Sequence, residues 1–429
     1  MMYAEAIDFL YTKLPMYSRI GAAAYKSDLV NIKLLCDALD NPQNNFKTIH
    51  IAGTNGKGSV CHSLAAILQT AGYKTGLHTS PHLKDFRERI KINGQMCSEN
   101  FVINFTQKII PLIEKIEPSF FEISVAMAFS FFAEEKVDVA VIETGLGGRL
   151  DSTNIINPVL SVITNIGYDH INLLGNTLEK IAFEKAGIIK PNTSVVIGEI
   201  LPQTKNVFET VAAEKNAAIS FAQHHFYIKD WEYKNHNLSA TVTNIKADTE
   251  EKYMLDLSGI YQTKNLITTL DAVKHLQQAG FNIEHKDIVH ALQHVKKLTG
   301  LHGRWEIINT NPTVILDVAH NEDGIKQLIS QLELYNYKNL HIITGMVNDK
   351  DIDRVLSLLP KRAAYYFTQA NIPRALAADE LAAKAAAAGL SGKVFTNVNE
   401  SLKHVLHYAD EEDLILVCGS VFLIGEVEY

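Results

Sequence analysis

The feature that most constrains the fold is a short apolar run followed by a glycine-bearing loop and a helix. The run and loop occupy Ile49–Ser59, with the sequence I-H-I-A-G-T-N-G-K-G-S. Apolar residues then recur at helical spacing, and Gly72 stands where a C-terminal cap belongs. In such a strand–loop–helix unit, backbone N–H groups and the positive helix end face an anion, and a lysine adds a point charge. The stretch therefore predicts a phosphate-binding loop around Lys57.

The loop departs from the usual phosphate-loop pattern, G-x-x-x-x-G-K-[ST], at two places. Ile51 replaces the first glycine, and Gly58 follows Lys57 directly, so the hydroxyl of Ser59 comes one residue late. An ordinary strand–helix turn is the alternative interpretation. The strand before the loop and the helix after it favour phosphate binding.

Composition excludes several classes of protein. The 429 residues suffice for two or three domains, and 47% hydrophobic with 21% charged residues is typical of a soluble globular protein. A net charge of −8 argues against nucleic acid as the main partner. The four cysteines lack metal-ligand spacing, and the longest uncharged apolar run, Ile123–Ala133, is too short to span a membrane. We expect a cytoplasmic monomer, without a secretory signal, that binds neither nucleic acid nor membrane.

Polar side chains follow two further predicted strands. Val137–Ile142 ends in Glu143, and Leu160–Ile166 runs into a Gly-Tyr-Asp segment that ends in His170. Ligands bind at the carboxyl edge of a parallel sheet, where these residues and the phosphate loop would meet. A strand that delivers a carboxylate beside a phosphate loop commonly holds Mg²⁺. The alternatives are a solvated strand end for Glu143 and an ordinary surface or core position for His170.

Three other segments carry candidate residues of less certain meaning from pattern alone. Ser80 follows a predicted strand that adjoins the phosphate loop, although a serine before proline also begins turns. Residues 144–151 contain three glycines in four positions, which would let the backbone approach a ligand closely. Lys185 belongs, by its pattern, to a solvated helix end.

The chain is predicted to contain two α/β domains. Residues 1–298 form a P-loop mononucleotide-binding domain with a largely parallel sheet, and an antiparallel ribbon is predicted at about 195–258. Residues 299–429 form a smaller Rossmann-like domain in which strands alternate with helices. Its first strand ends in D-V-A-H-N at 317–321 and its last in C-G-S at 418–420, so polar side chains share one edge.

With these residues assembled, the chain resembles the bifunctional folylpolyglutamate synthase/dihydrofolate synthase family of the Mur-ligase superfamily, nearly from end to end. The most specific segments are 53–59, 143–151 and 317–321, and the glycine between lysine and serine is itself a family mark. The resemblance implies an ATP-dependent amide ligase for folate biosynthesis and polyglutamylation. ATP would phosphorylate the carboxylate of dihydropteroate or a folate, and the amine of glutamate would attack the acyl phosphate.

The resemblance also implies roles for individual residues. Catalysis would depend on Lys57, Lys185 and His170. ATP would be held by Gly53, Thr54, Asn55, Gly56, Lys57, Gly58 and Ser59, and from across the cleft by Asn265, Arg304, Asp317 and His320. One Mg²⁺ would be held by Ser80 and Glu143, and a second by His170 with Lys185 as a carbamate. The pterin side would be Phe121, Asp151 and Ser152, and the glutamate side Ser420 and His320.

Two departures from the family pattern leave the shape of one loop open. Val318 stands where the family often has glycine, and Glu322 where it has proline. The retention of both synthase activities, the preferred folate form and the glutamate chain length also stay open.

Two competing functions have sequence arguments against them. Another Mur-type ligase would carry an additional N-terminal domain, whereas only residues 1–48 precede the loop strand. A P-loop kinase or nucleotide switch would explain Lys57 and Glu143. It would leave the second α/β domain, with Arg304 and Asp317, unexplained, and a purely structural role would leave every polar strand end unexplained.

Overall fold

Two β-sheets with helices on both faces organise the part of the chain that this computed structural model describes, residues 1–16, 21, 28–234, 236–348 and 351–429. The first sheet has eight strands: β1 Lys47–Ala52, β2 Thr75–His78, β3 Ile90–Ile92, β4 Gln95–Met96, β5 Val139–Glu143, β6 Leu160–Ile163, β7 Val195–Ile197 and β8 Ile219–Phe221. Their order is β4-β3-β2-β5-β1-β6-β7-β8, and only the β2–β3 and β3–β4 pairs are antiparallel.

Eight described α-helices accompany the first sheet: α1 Tyr3–Lys13, α2 Val30–Asp37, α3 Lys57–Thr70, α4 Glu99–Ile116, α5 Phe120–Glu134, α6 Ile171–Leu174, α7 Leu178–Ala186 and α8 Pro202–Glu214. Short 3₁₀ turns occupy Pro42–Asn44, Phe86–Arg89, Ser152–Ile155 and Ala222–His224. The N-terminus of α5 carries a capping box, in which Ser119 and Glu122 bond each other's backbone N–H groups.

A three-stranded antiparallel sheet follows, made of β9 Phe226–Lys234, β10 Asn237–Asn244 and β11 Thr249–Leu255. Helices α9 Gln262–Gln278, α10 His285–Leu292 and α11 Val295–Thr299 come next. The predicted ribbon at about 195–258 was wrong in its first part, because β7, α8 and β8 extend the parallel sheet there. Strands of three residues are too short to show the continuous apolar run that marks a buried parallel strand.

The second α/β sheet has the order β12-β13-β17-β14-β15-β16, and only the β12–β13 pair is antiparallel. Its strands are β12 Glu306–Thr310, β13 Thr313–Leu316, β14 Leu340–Thr344, β15 Ala364–Phe367, β16 Gly392–Val394 and β17 Leu414–Cys418. Its helices are α12 Glu322–Leu332, α13 Ile352–Leu358, α14 Ala378–Ala387, α15 Val398–Tyr408 and α16 Val421–Gly425. The predicted fold class, two α/β units with largely parallel sheets, is confirmed.

Helix α3 lies at the centre of the largest hydrophobic core. Every residue from Ser59 to Leu68 is buried, because the helix packs on β1, β2 and β5 and is covered by α9, α10 and α11. A helix that is apolar nearly all round belongs inside a protein rather than on its surface. The phosphate loop is therefore anchored to a helix in the largest buried core. Among the described residues, no helix has the length and hydropathy needed to cross a membrane.

We predict that Leu64→Ala destabilises the protein by about 3 kcal/mol, because the fully buried Leu64 side chain would leave a cavity under the phosphate loop. Leu34→Ala is the control, since Leu34 is 48% exposed and its truncation should change stability by less than about 0.5 kcal/mol. Urea unfolding followed by circular dichroism measures both. Equal effects of the two substitutions would contradict the assignment of α3 to the core.

Candidate active site

The phosphate loop turns sharply between β1 and α3, and two glycines make the turn sterically feasible. Gly56 has a φ of 83°, and a Cβ on it would lie 2.4 Å from Asn265 Oδ1. A Cβ on Gly53 would lie 1.9 Å from Thr164 Oγ1. Both positions admit only glycine without a rearrangement, because β6 and α9 press against the loop.

The backbone of the loop is held by the segment that follows β6. The Thr164 hydroxyl donates to Asn55 O (2.6 Å), and Asn55 N donates to Asn165 Oδ1 (2.8 Å). Lys57 Nζ donates to the carbonyls of Gly53 and Thr54 at 3.0 and 3.2 Å. The lysine charge is thus folded over the loop, where an incoming phosphate would meet it.

Helix α9 engages the one hydroxyl that the phosphate-loop pattern places late. Gln262 Nε2 donates to Ser59 Oγ (3.1 Å), and Asn265 Nδ2 donates to Gln262 Oε1 (2.7 Å). Ser59 is buried, so its oxygen already serves as an acceptor inside the protein. This arrangement leaves other residues as better candidates for a metal ligand.

Asp317 faces the phosphate loop from the second α/β unit. Its buried carboxylate accepts hydrogen bonds from the Tyr261 hydroxyl (2.9 Å), Trp305 N (2.9 Å) and Ala319 N (2.8 Å). Burial raises the pKa of Asp317, while these donors and the nearby Arg304 charge oppose that rise. The side chain is held rigidly at the end of β13, as expected for a group that orients a ligand.

A cavity of about 520 Å³ lies between the phosphate loop and the second unit. Ten of the predicted ATP-binding residues line it: Thr54, Asn55, Gly56, Lys57, Gly58, Ser59, Asn265, Arg304, Asp317 and His320. Ser80 and Glu143 also line it. Residues that are distant in sequence thus converge on one volume large enough for a nucleotide.

A second cavity, of about 530 Å³, adjoins the first because Ser80 and His320 line both. Its wall is mostly apolar and aromatic. It contains the predicted substrate residues Phe121, Asp151, Ser152 and Ser420, together with the predicted metal ligand His170. Asp151 is buried, and its carboxylate accepts from Leu146 N (2.8 Å) and Thr153 N (3.0 Å), so it also shapes the wall.

Glu143, at the end of β5, lines the same cavity as the phosphate loop. It is buried, and its Oε2 accepts from Ser80 N at 3.2 Å. Burial raises the pKa of Glu143, whereas Lys57 and the Ser80 amide lower it. A desolvated carboxylate beside a hydroxyl and a phosphate site fits Mg²⁺, which is usually held by one or two carboxylates and the substrate's phosphates.

Lys185 and His170 do not share the first cavity with Glu143. The buried Lys185 amine donates to Gly53 O at 2.7 Å, and neither Lys185 nor Gly53 lines either cavity. His170 is on the second cavity. In the described residues, no group of three or more His, Cys, Asp or Glu side chains is placed to hold a metal. Of the predicted metal ligands, only Glu143 and His170 are of these four residue types. The predicted metal sites therefore do not require a group of three.

The glycines after β5 pack closely against other parts of the protein. A Cβ on Gly145 would lie 2.5 Å from Phe121 Cζ, and a Cβ on Gly148 would lie 2.8 Å from Glu184 O. Gly145 and Phe121 both line the second cavity, so the missing side chain at Gly145 leaves room for the Phe121 ring at the cavity wall. The close approach of this backbone to a ligand stays a prediction.

Comparisons with known proteins agree with this geometry. The Mur ligase middle domain matches residues 51–273, and the Mur ligase glutamate ligase domain matches residues 303–421. A dihydrofolate synthase/folylpolyglutamate synthase of Bacillus subtilis is 33% identical over 94% of both chains. The chain belongs to the folylpolyglutamate synthase/dihydrofolate synthase family.

Solved structures of this family have the same fold. The structure of E. coli FolC in complex with DHPP and ADP is 28% identical, with a TM-score of 0.84 over 99% of this chain and 96% of that one. A bifunctional folylpolyglutamate synthase/dihydrofolate synthase with Mn, AMPPNP and L-glutamate bound is also 28% identical. Its TM-score is 0.83, over 99% of this chain and 97% of that one.

Several residues of the site were missed by sequence reasoning. Thr164 and Asn165 hold the phosphate loop, Tyr261 bonds Asp317, and Arg89 lines the second cavity with His82. Arg89 could not be singled out from the sequence because it lies among charged neighbours, Arg87 to Lys91, and only the structure shows that it is buried. Thr164 and Asn165 did have a signal, since they directly follow the apolar run of β6.

We predict that Gly56→Ala weakens ADP binding by about tenfold or more, because its Cβ would displace Asn265 from the nucleotide cavity. Gly72→Ala is the matched control, since Gly72 also has a positive φ, 92°, but nothing lies within 4 Å of the added Cβ. Both substitutions carry the backbone cost of roughly 1–2 kcal/mol. Titration calorimetry with ADP separates them, and equal affinities of the two variants would refute the steric argument.

Proposed function

We propose that the protein is an ATP-dependent ligase that joins L-glutamate to the carboxylate of dihydropteroate, of a tetrahydrofolylpolyglutamate, or of both. The products are the amide, ADP and phosphate. The observation that carries the proposal is the pair of adjoining cavities, one beside a phosphate loop and one with an aromatic wall, which share Ser80 and His320. A nucleotide in the first and a pteroate in the second would meet at these two residues.

The reaction has two chemical steps. A carboxylate oxygen of the pteroate attacks the γ-phosphorus of ATP, and the bond to the ADP oxygen breaks. The amine of glutamate then attacks the carbonyl carbon of the acyl phosphate, loses a proton, and phosphate leaves. No enzymic nucleophile is required, because both nucleophiles come from the substrates.

Charge stabilisation is the main task of the protein in both steps, because negative charge accumulates on oxygens in each. We assign Lys57 and the amides of the phosphate loop to the β- and γ-phosphates of ATP. Arg304, Asp317 and Asn265 line the same cavity and would hold the nucleotide together with the loop, although Asn265 lies against the loop rather than across the cleft from it. The two units enclose the reaction between them, which would protect the acyl phosphate from water.

The proposed metal is Mg²⁺, with Ser80 and Glu143 holding one ion and His170 with a carbamate of Lys185 holding a second. When bound, the metal supplies Lewis-acid stabilisation of phosphoryl oxygens. The relative with Mn, AMPPNP and L-glutamate bound supports a divalent cation and these substrates. Phe121, Asp151 and Ser152 are assigned to the pterin, and Ser420 with His320 to glutamate.

Three further assignments belong to the same proposal. The boundary between the two domains is placed at residues 298 and 299, which fall in the last turn of α11. The protein is proposed to act as a monomer in the cytoplasm. Its only partners in this scheme are the small-molecule substrates.

We predict that ADP forms only when L-glutamate and a suitable acceptor are both present. Coupled assays with dihydropteroate and with a reduced folate, run in parallel, measure the release of ADP and identify which synthase activity is present. Lys57→Ala should reduce turnover by about a thousandfold while the melting temperature is retained, because Lys57 lies on the cavity wall rather than in the core. ATP turnover that depends on neither the acceptor nor L-glutamate would remove the ligase assignment, and near-normal turnover by Lys57→Ala would remove the phosphate loop from the mechanism.

We predict that Lys185 is carbamylated in bicarbonate buffer, because its buried amine lies beside the phosphate loop, where it donates to Gly53 O at 2.7 Å, and a carbamate there would add a metal ligand. Carbon NMR of protein equilibrated with ¹³C-bicarbonate should show one carbamate signal. Lys185→Arg should abolish it, whereas Lys180→Arg, an exposed position on the same helix, should keep it. A signal that survives Lys185→Arg, or none in the parent protein, would count against the modification.

A further inference from the structure

Asn321, the last residue of the D-V-A-H-N segment, bonds three separate parts of the molecule. Its Nδ2 donates to Asn55 Oδ1 (3.0 Å) and to Asp169 Oδ2 (3.2 Å). Its Oδ1 accepts from Asn55 Nδ2 (3.2 Å) and from Gly324 N (2.9 Å). The side chain is buried, with 5% exposure, although it comes from the second α/β unit and reaches two segments of the first.

The chemistry of these contacts requires a carboxamide. Asn321 uses both amide hydrogens and both lone pairs of its carbonyl oxygen, which is its full hydrogen-bonding capacity. The Gly324 N–H needs an acceptor and the Asp169 carboxylate needs a donor, so the orientation of the amide is determined. A carboxylate would repel Asp169, and a hydroxyl would retain the helix cap but lack the reach and the donors.

The two partners of Asn321 are themselves parts of the site. Asn55 is a residue of the phosphate loop, and its backbone is held separately by Thr164 and Asn165. Asp169 precedes His170 and lies 3.4 Å from His320 Nε2. Asn321 therefore ties the second unit to the phosphate loop and to the segment that carries His170.

We propose that Asn321 is a positioning residue that couples closure of the second domain to the geometry of the phosphate loop. In the closed enzyme, its amide fixes the Asn55 side chain and the Asp169 carboxylate together. Without it, the nucleotide still binds to the loop, because the Asn55 backbone has its own support. The closed state is then less populated, and water reaches the acyl phosphate.

This inference rests on the proposed ligase reaction and predicts a measurable change in its stoichiometry. Each ADP released corresponds to one amide formed when the acyl phosphate is protected. Hydrolysis of the acyl phosphate releases ADP and phosphate without an amide. The ratio of ADP to amide therefore reports closure, which a loss of stability alone would not alter.

The test compares three variants of the full-length protein. Asn321→Ser keeps a good N-cap for α12 and removes the bonds to Asn55 and Asp169. Asn321→Asp also keeps the cap but places a carboxylate against Asp169. Asn397→Ser is the matched control, because Asn397 caps α15 by accepting from Glu400 N (2.9 Å) and lines neither cavity.

We expect Asn321→Ser to lower kcat by about tenfold, because the closed state would lose the hydrogen bond to the charged Asp169. The loss of kcat should be larger for Asn321→Asp. The ratio of ADP to amide should rise above that of the parent in both. Affinity for ADP by calorimetry should change little, and hydrogen exchange at residues 53–59 with ADP bound should become faster. The control should match the parent in every measurement.

The inference would be overturned if Asn321→Ser had the same kcat, the same ratio of ADP to amide and the same hydrogen exchange at residues 53–59 as the parent protein. A fall in activity that a lower melting temperature explains, with an unchanged ratio of ADP to amide, would also overturn the inference. Asn321 would then act only as a helix cap. A parent protein that forms no amide would instead refute the proposed function. In that case the exchange experiment still tests whether Asn321 restrains the phosphate loop.

Discussion

The packing of the phosphate loop against the end of β6 is the constraint on which the site depends. Gly53 has no side chain, and Thr164 occupies the space where a Cβ would be, so its hydroxyl reaches Asn55 O at 2.6 Å. This contact requires β1 and β6 to be parallel neighbours, which they are. Because β5 lies on the other side of β1, Glu143 is delivered to the same edge. One close approach therefore sets the phosphate loop beside both neighbouring strand ends.

Much of this arrangement could be predicted from the sequence, because buried parallel strands leave a strong pattern. One apolar run leads into the phosphate loop and another ends in Glu143, and their common edge follows from the parallel topology. A third run, in the second sheet, ends in Asp317. The same reasoning failed for β7 and β8, whose three-residue strands are too short to carry a pattern. The sequence also could not show that Gly145 and Gly148 make room for Phe121 and for the Glu184 carbonyl, since a glycine that admits a ligand and one that admits another part of the protein look identical in sequence.

Contacts between the two units were beyond the reach of sequence patterns for a different reason. Asn55 and Asn321 are reciprocal partners, yet their positions are determined by how the second unit docks, not by either local segment. The sequence showed Asn321 only as the end of the D-V-A-H-N segment, and its position as the N-cap of α12 is by itself enough to explain an asparagine there. A residue that satisfies a local rule gives no sign of a second, long-range role.

The electrostatics of the cleft explain why its ligand should bring a cation. Glu143 and Asp317, from different units, are both buried, and burial raises the pKa of each. The positive charge of Arg304 lowers the pKa of both carboxyl groups, so Arg304 stabilises the charged form of each. A triphosphate that binds beside Glu143 would place negative charge next to a buried carboxylate. Lys57 and Arg304 would have to offset the resulting repulsion. A divalent cation held by Glu143 would offset that repulsion, and so we expect the nucleotide to bind beside the buried acid more favourably with a metal than without one.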